Sequence, residues 1–126
     1  MPVPSCWRIY GSPIQVYREL LDTVASERLK ICFDTGHAHI FSRSSFEEWI
    51  AVLHTDISYM HINDNNKDID SELAPGDGSI DWQEFSRLIV RYDIAPEIVF
   101  EVGTLEKTKK SLQYFKKKNL YPFQLV

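Results

Sequence analysis

The sequence predicts an α/β fold built on a parallel sheet. Along the 126 residues, helical and strand patterns alternate in the order α-β-α-β-α-β-α, without repeats. Strands that are separated by helices pair in parallel through right-handed crossovers, and a parallel sheet is covered by helices on both faces. The composition agrees, because 44% hydrophobic and 25% charged residues are typical of a globular protein. We expect one domain that spans residues 1–126.

The first helix and the first strand lie within the first 33 residues. Ser12 fits the N-cap of a helix, and Pro13 fits its first position, where a missing N–H costs nothing. Apolar residues then recur with helical spacing at Val16, Tyr17, Leu20, Leu21 and Val24. Residues 29–33 (LKICF) have the pattern of a buried strand. This strand places Cys32 in the interior.

A second helix and a second strand follow. Ser44 and Glu47 have the spacing of a capping box, which predicts a helix over residues 45–54. The apolar residues after that cap again have helical spacing, at Phe46, Trp49, Ile50 and Leu53. Residues 57–62 (ISYMHI) then form the next predicted strand.

The last third of the chain begins after a long polar stretch, residues 63–80, which contains two glycines. A loop of that length inside a compact domain is more often functional than idle. Asp81 fits the N-cap of a third helix, and residues 97–102 (EIVFEV) predict a third strand. Thr104 caps a fourth helix that continues to about residue 118. The predicted total is three strands and four helices.

Charge, cysteine content and hydropathy exclude several classes of protein. A net charge of −4 does not indicate the basic surface that binds nucleic acid. Two cysteines without CxxC spacing do not support a disulfide scaffold. Since no run approaches the roughly 20 apolar residues of a membrane helix, we expect no membrane contact and a cytoplasmic location.

Each predicted strand ends in an ionisable residue: Asp34, His61 and Glu101. Because the carboxyl ends of parallel strands lie at one edge of a sheet, these side chains should converge. Mixed oxygen and nitrogen ligands suit Mn²⁺, Mg²⁺, Fe²⁺ or Zn²⁺. Taken singly, each residue has a simpler explanation: Asp34 as a cap, His61 as a core histidine with a satisfied ring, and Glu101 in an ordinary ion pair.

Four motifs carry a family resemblance. They are CFDTGHAH at 32–39, HINDN at 61–65, the stretch DSELAPGDGSIDW at 70–82, and FEV at 100–102. Together they resemble the C-terminal part of the xylose isomerase-like TIM-barrel superfamily, which includes sugar isomerases, sugar epimerases and endonuclease IV-type apurinic-site nucleases. The resemblance implies a partial (β/α)8 barrel in which the three strands are the sixth, seventh and eighth.

The resemblance also implies roles for individual residues. Asp34, His61 and Glu101 match shared metal ligands, and Glu101 would also move a proton. His37 matches a histidine that either binds substrate or holds a second metal. Asp70 and Glu72 lie on the polar loop, in the same substrate or second-metal region. Many members carry histidine where Glu72 stands, so this difference disfavours the trinuclear zinc site of the nucleases.

The length differs from that of a whole barrel, which takes roughly 250 residues in eight βα units. The resemblance includes one more ligand, a glutamate on the fifth strand in a Glu-Asn pair, and residues 1–12 offer no counterpart. We therefore expect the N-terminal half of the barrel to be absent, through a truncated reading frame, a split gene or a fragment.

These observations lead to a functional hypothesis and two alternatives. The first is a divalent-metal-dependent isomerase or epimerase that acts on a sugar or a sugar-like small molecule through an enediolate. The alternatives are a phosphodiesterase for abasic DNA, and an inactive remnant or interaction module. We also predict a homo-oligomer that buries the region of Phe33, Met60 and Phe100, or the sheet edges. His39 and His54 are expected to lie outside the metal site.

Overall fold

The computed structural model describes residues 14–124, and its sheet has the predicted parallel topology. The strands are β1 (Ile31–Asp34), β2 (Ile57–Ile62) and β3 (Glu97–Phe100), hydrogen-bonded in the order β1-β2-β3. Asp34 pairs with His61 across β1 and β2, and His61 pairs with Val99 across β2 and β3. The chain therefore has the α/β architecture and the strand order of a partial TIM barrel.

The described residues form five α-helices, one more than predicted. They are α1 (Ile14–Val24 in the described part), α2 (Thr35–Phe41), α3 (Phe46–Leu53), α4 (Trp82–Arg91) and α5 (Leu105–Lys117), with a 3-10 turn at His54–Asp56. The additional helix is α2, which follows β1 without a connecting loop. None of the helices between residues 14 and 124 has both the length and the apolar character needed to cross a membrane.

The helix caps agree with the sequence analysis at two positions and differ at one. Asp81 caps α4, and Thr104 caps α5, as predicted. The cap of α3 is Ser45, whose hydroxyl accepts from the N–H of Glu48 at 3.2 Å, and the prediction of Ser44 was wrong by one residue. Two adjacent serines both fit a capping pattern, so only the backbone decides between them. The predicted cap Ser12 and first helical residue Pro13 lie outside the described residues.

The two faces of the sheet have different surroundings. Phe33 and Met60 point to the helices and are 1% and 0% exposed, and they belong to the hydrophobic core. Cys32 points to the opposite face and is exposed, together with Val99, which is 40% exposed. The prediction of a buried Cys32 was therefore wrong. Phe33 and Met60 leave little surface for the predicted oligomer interface, because the chain's own helices cover both side chains, whereas Phe100 is only partly buried.

Candidate metal centre

Asp34, His61 and Glu101 converge at the carboxyl ends of the three strands. One ligand atom from each lies within 4.8 Å of the other two. His61 Nδ1 is 3.6 Å from Asp34 Oδ2 and 2.7 Å from Glu101 Oε2. Glu101 follows β3 directly, and its N–H donates to the carbonyl of Ile62 at 3.0 Å, which holds its backbone beside β2. The parallel register thus brings the three side chains together.

Asp34 both caps a helix and faces this cluster. Its Oδ1 accepts from the backbone N–H of His37 at 3.0 Å, so it is the N-cap of α2. The same oxygen accepts from Asn63 Nδ2 at 3.3 Å. Because these bonds use Oδ1, Oδ2 is turned toward His61 and His37. Asp34 can therefore cap α2 through Oδ1 and still offer Oδ2 as a metal ligand, so the two roles considered from the sequence are compatible.

Thr35 joins the end of β1 to the end of β2. Its hydroxyl donates to the carbonyl of Asn63 at 2.8 Å, and it accepts from the N–H of Asn63 at 3.1 Å. Thr35 is fully buried, and Asn63 is 1% exposed. Since buried polar groups are costly unless paired, this contact fixes the two strand ends that carry Asp34 and His61.

The close pair of His61 and Glu101 fits an ordinary ion pair when the imidazole is protonated, and it also fits a shared cation. Glu101 Oε2 is buried, and among the described residues no donor hydrogen is directed at it, although His61 Nδ1 lies at 2.7 Å. A buried carboxylate oxygen without a donor is unfavourable unless a cation compensates its charge. Two carboxylates and one imidazole suit Mn²⁺, Mg²⁺, Fe²⁺ or Zn²⁺. The residues present therefore fit a divalent cation.

His37 and Asp70 extend this cluster toward the polar loop. His37 Nδ1 lies 3.3 Å from Asp34 Oδ2, and His37 Nε2 lies 3.0 Å from Asp70 Oδ2. The loop therefore reaches across α2 to the edge of the cluster. Glu72 is on the same loop, with a left-handed φ of 48°, and it is not one of the three converging residues.

The two remaining histidines lie apart from the three converging side chains. His39 Nε2 is 2.8 Å from Ser79 Oγ. Burial lowers the pKa of His39, and the charge of Lys67 lowers it further. The ring of His54 packs against Tyr92 with centroids 5.3 Å apart. Neither histidine contributes a ligand atom to the group formed by Asp34, His61 and Glu101.

Three polar residues of the HINDN motif were not assigned roles from the sequence. Asn63, Asp64 and Asn65 are each at most 1% exposed. Asn65 Nδ2 donates to the carbonyl of Gly36 at 2.9 Å, and so connects the loop to α2. Three consecutive polar residues directly after a buried strand were the available signal, since such residues remain buried only when their hydrogen bonds are satisfied.

Comparison with known proteins agrees with the partial TIM-barrel fold. A family described as a xylose isomerase-like TIM barrel matches residues 3–118. An uncharacterized protein of Sinorhizobium fredii, y4fM, is 26% identical over 89 residues, which cover 70% of this chain and 28% of that protein. The crystal structure of a D-tagatose 3-epimerase-like protein is similar with a TM-score of 0.68 and 27% identity, covering 79% of this chain and 39% of that one. The chain thus spans less than half the length of either relative.

Proposed function

The chain belongs to the xylose isomerase-like TIM-barrel family, and from this premise we propose that it forms the metal-binding part of an isomerase or epimerase. The substrate would be a sugar or a sugar-like hydroxy carbonyl compound. The name of the solved relative supports a ketohexose, because D-tagatose is one and 3-epimerisation inverts the carbon next to its carbonyl. The activity would depend on a divalent cation.

The observation that carries this proposal is the convergence of Asp34, His61 and Glu101 within 4.8 Å, including a buried Glu101 oxygen that no donor among the described residues satisfies. Asp34 and His61 would hold the cation from two neighbouring strands, and Glu101 from the third. A divalent cation bound there would polarise the oxygens of a hydroxy carbonyl substrate and stabilise negative charge on them.

Glu101 would move the proton. Its carboxylate would take the proton from the carbon that bears the hydroxyl group, and the electrons of the broken C–H bond would pass into the carbonyl to give an enediolate. Inversion of that carbon needs a proton from a second acid on its opposite face, a role that the resemblance gives to the fifth-strand glutamate, which has no counterpart in residues 1–12. Removal of a proton from C1 of a 2-ketose, with return of a proton to C2, would instead convert the ketose into an aldose.

His37 would bind a substrate hydroxyl. Its Nδ1 lies beside Asp34 and its Nε2 beside Asp70, so both neighbours restrict the rotation of the ring. A side chain held in this way can orient a hydroxyl without a large loss of its own rotamer freedom on binding. Asp70 would accept from the same substrate or from His37.

Deuterium exchange tests this function without requiring net turnover. We expect the chain with Mn²⁺ to exchange the C3 proton of D-tagatose in deuterated water, measured by proton NMR, and Glu101→Gln to lose that exchange. Glu97→Gln is the matched control, because Glu97 begins the same strand and is exposed. Exchange that is equally fast in wild type and Glu101→Gln would contradict the proposed role of Glu101.

A parallel assay with an oligonucleotide that contains an abasic site separates the main alternative. Metal-dependent cleavage of this oligonucleotide, without exchange in any ketose, would favour the phosphodiesterase. Metal binding without either reaction would favour a remnant or an interaction module.

A further inference from the structure

Asp64 is a fully buried carboxylate two residues after the end of β2, and it organises the polar loop. Both of its oxygens accept hydrogen bonds, and all the donors belong to the segment that follows. The donors to Oδ1 are the N–H groups of Asn65 (2.8 Å) and Ile80 (3.1 Å), and the donors to Oδ2 are the N–H groups of Gly76 (3.1 Å) and Gly78 (3.2 Å) and Nε1 of Trp82 (2.9 Å). One side chain thus satisfies five donors.

The backbone of Asp64 closes the first part of the same loop. Its N–H donates to the carbonyl of Leu73 at 2.8 Å, and its carbonyl accepts from the N–H of Leu73 at 2.9 Å, which makes an isolated antiparallel bridge. The chain therefore leaves Asp64 and returns beside it at Leu73, so that residues 65–72 form a closed segment. Asp70 lies within this closed segment, where its Oδ2 is 3.0 Å from His37 Nε2.

We propose that Asp64 is a positioning residue that fastens the polar loop so that Asp70 is held beside His37. This role of Asp64 rests on the proposed function, because it matters for catalysis only if His37 and Asp70 contact the substrate. Whether the His37–Asp70 contact depends on Asp64 can be tested without metal or substrate.

Gly78 is adapted to this arrangement. A Cβ atom at position 78 would lie 2.4 Å from Asp64 Oδ1 and 2.6 Å from the carbonyl oxygen of Asn65. Both distances are far below van der Waals contact, so only glycine lets the loop approach the carboxylate this closely. Asp64 and Gly78 therefore form one unit, and a change at either should release the same part of the loop.

Asparagine cannot replace the carboxylate at this position. An ionised carboxylate offers two acceptor oxygens, whereas an amide offers one acceptor oxygen and one donor group. In Asp64→Asn the amide nitrogen would face N–H donors whichever way the group is turned. The variant keeps the size of the side chain and removes its ability to satisfy both sets of donors.

The experiment compares Asp64→Asn and Gly78→Ala with Asp77→Asn in the full chain without metal. Asp77 is a matched control, since it is an exposed aspartate of the same loop that pairs with Lys110 rather than with Asp64. We expect amide hydrogen exchange at Gly76, Gly78 and Ile80 to accelerate at least about tenfold in the Asp64→Asn variant, with exchange in α3 unchanged. Asp77→Asn should change neither.

A second readout distinguishes positioning from general support of the loop. Asp70→Asn should shift the imidazole nitrogen signals of His37 in the wild-type background, and should add no shift when Asp64→Asn or Gly78→Ala is already present. An equal shift in both backgrounds would overturn the proposal, because Asp70 would then reach His37 without Asp64. Loss of the whole fold in both variants would also overturn it, since Asp64 would then determine the fold and not the loop. Failure of ketose exchange would leave these metal-free results unchanged.

Discussion

The side-chain amide of Asn63 fills the space where any residue other than glycine at position 36 would carry its Cβ atom. An ideal Cβ on Gly36 would lie only 1.7 Å from Asn63 Oδ1. The same amide donates through Nδ2 to Asp34 Oδ1 at 3.3 Å. The glycine of the DTGH motif is therefore needed for a close side-chain contact that orients Asp34, and not for a left-handed turn.

Gly36→Ala should destabilise the protein and disturb the metal site together. Displacement of the buried Asn63 amide is an overpacking change, which costs about 1 to 3 kcal/mol. We expect a lower midpoint of thermal unfolding by circular dichroism and weaker Mn²⁺ binding. An unchanged midpoint with unchanged binding would show that the amide moves away at no cost, and would contradict the contact.

Asp56 should contribute stability that depends on pH. Burial alone would raise the pKa of Asp56, but hydrogen bonds from Arg18 and Thr55 outweigh burial, so that this pKa is lowered from 3.8. Arg18 Nη1 lies 2.9 Å from Asp56 Oδ2 and ties α1 to the turn before β2. A lowered pKa stabilises the fold above about pH 3.8, and this contribution is lost as the pH falls through the folded-state pKa.

Asp56→Asn should therefore lower the free energy of unfolding by about 1 kcal/mol near pH 7. The difference in unfolding free energy between wild type and Asp56→Asn should disappear at acid pH, as measured by denaturant unfolding between pH 7 and pH 3. Asp22→Asn is the control, because Asp22 pairs with the same arginine but is 66% exposed. If the unfolding free energy of Asp56→Asn differs from that of wild type by the same amount at every pH, the ionised Asp56–Arg18 pair is not the source of the stability.

Replacement of His39 or His54 with glutamine should leave Mn²⁺ affinity within about twofold, because neither ring belongs to the converging group. His39 is held by Ser79, and His54 packs on Tyr92. Calorimetry of both variants checks this. A loss of about tenfold, or roughly 1.4 kcal/mol, in either variant would place that histidine in contact with the cation or its ligands.

Self-association remains a prediction, and the sheet edges that the sequence analysis named as one of its two contact surfaces are now the favoured one. Phe33 and Met60 are covered by the chain's own helices, which leaves the sheet edges and the open face near Cys32 and Val99 as contact surfaces. Exposed strand edges readily pair with another chain. We expect a dimer or a larger assembly by light scattering at micromolar concentration, weakened by Val99→Lys and not by Val90→Lys on the outside of α4. A monomeric wild-type protein at that concentration would contradict the prediction of self-association.

The strands and the converging residues could be predicted from the sequence because topology determines them. Once three strands are parallel, their carboxyl ends must lie at one edge, so the ionisable residues that end them meet there. This reasoning located Asp34, His61 and Glu101 without knowledge of any side-chain conformation. The metal roles of these residues stay predictions until binding is measured.

Local patterns could not determine the rest. The residues of α2, TGHAHIF, include a glycine and β-branched residues, which are poor helix formers, so the helix depends on the cap from Asp34 and on packing. The exposure of Cys32 depends on which face of the sheet is covered, and an apolar run such as LKICF does not reveal that. The five donors of Asp64 lie up to 18 residues along the chain and meet only in the folded loop.

Calorimetric titration of the chain with Mn²⁺ tests the central claim most directly, since Asp34, His61 and Glu101 are proposed to hold one cation. We predict weak binding at one site per chain, because three protein ligands leave the site open to solvent. His61→Ala and Asp34→Asn should each abolish the binding, and His54→Gln should retain it. Binding of unchanged affinity in both His61→Ala and Asp34→Asn would contradict the account and place the metal elsewhere.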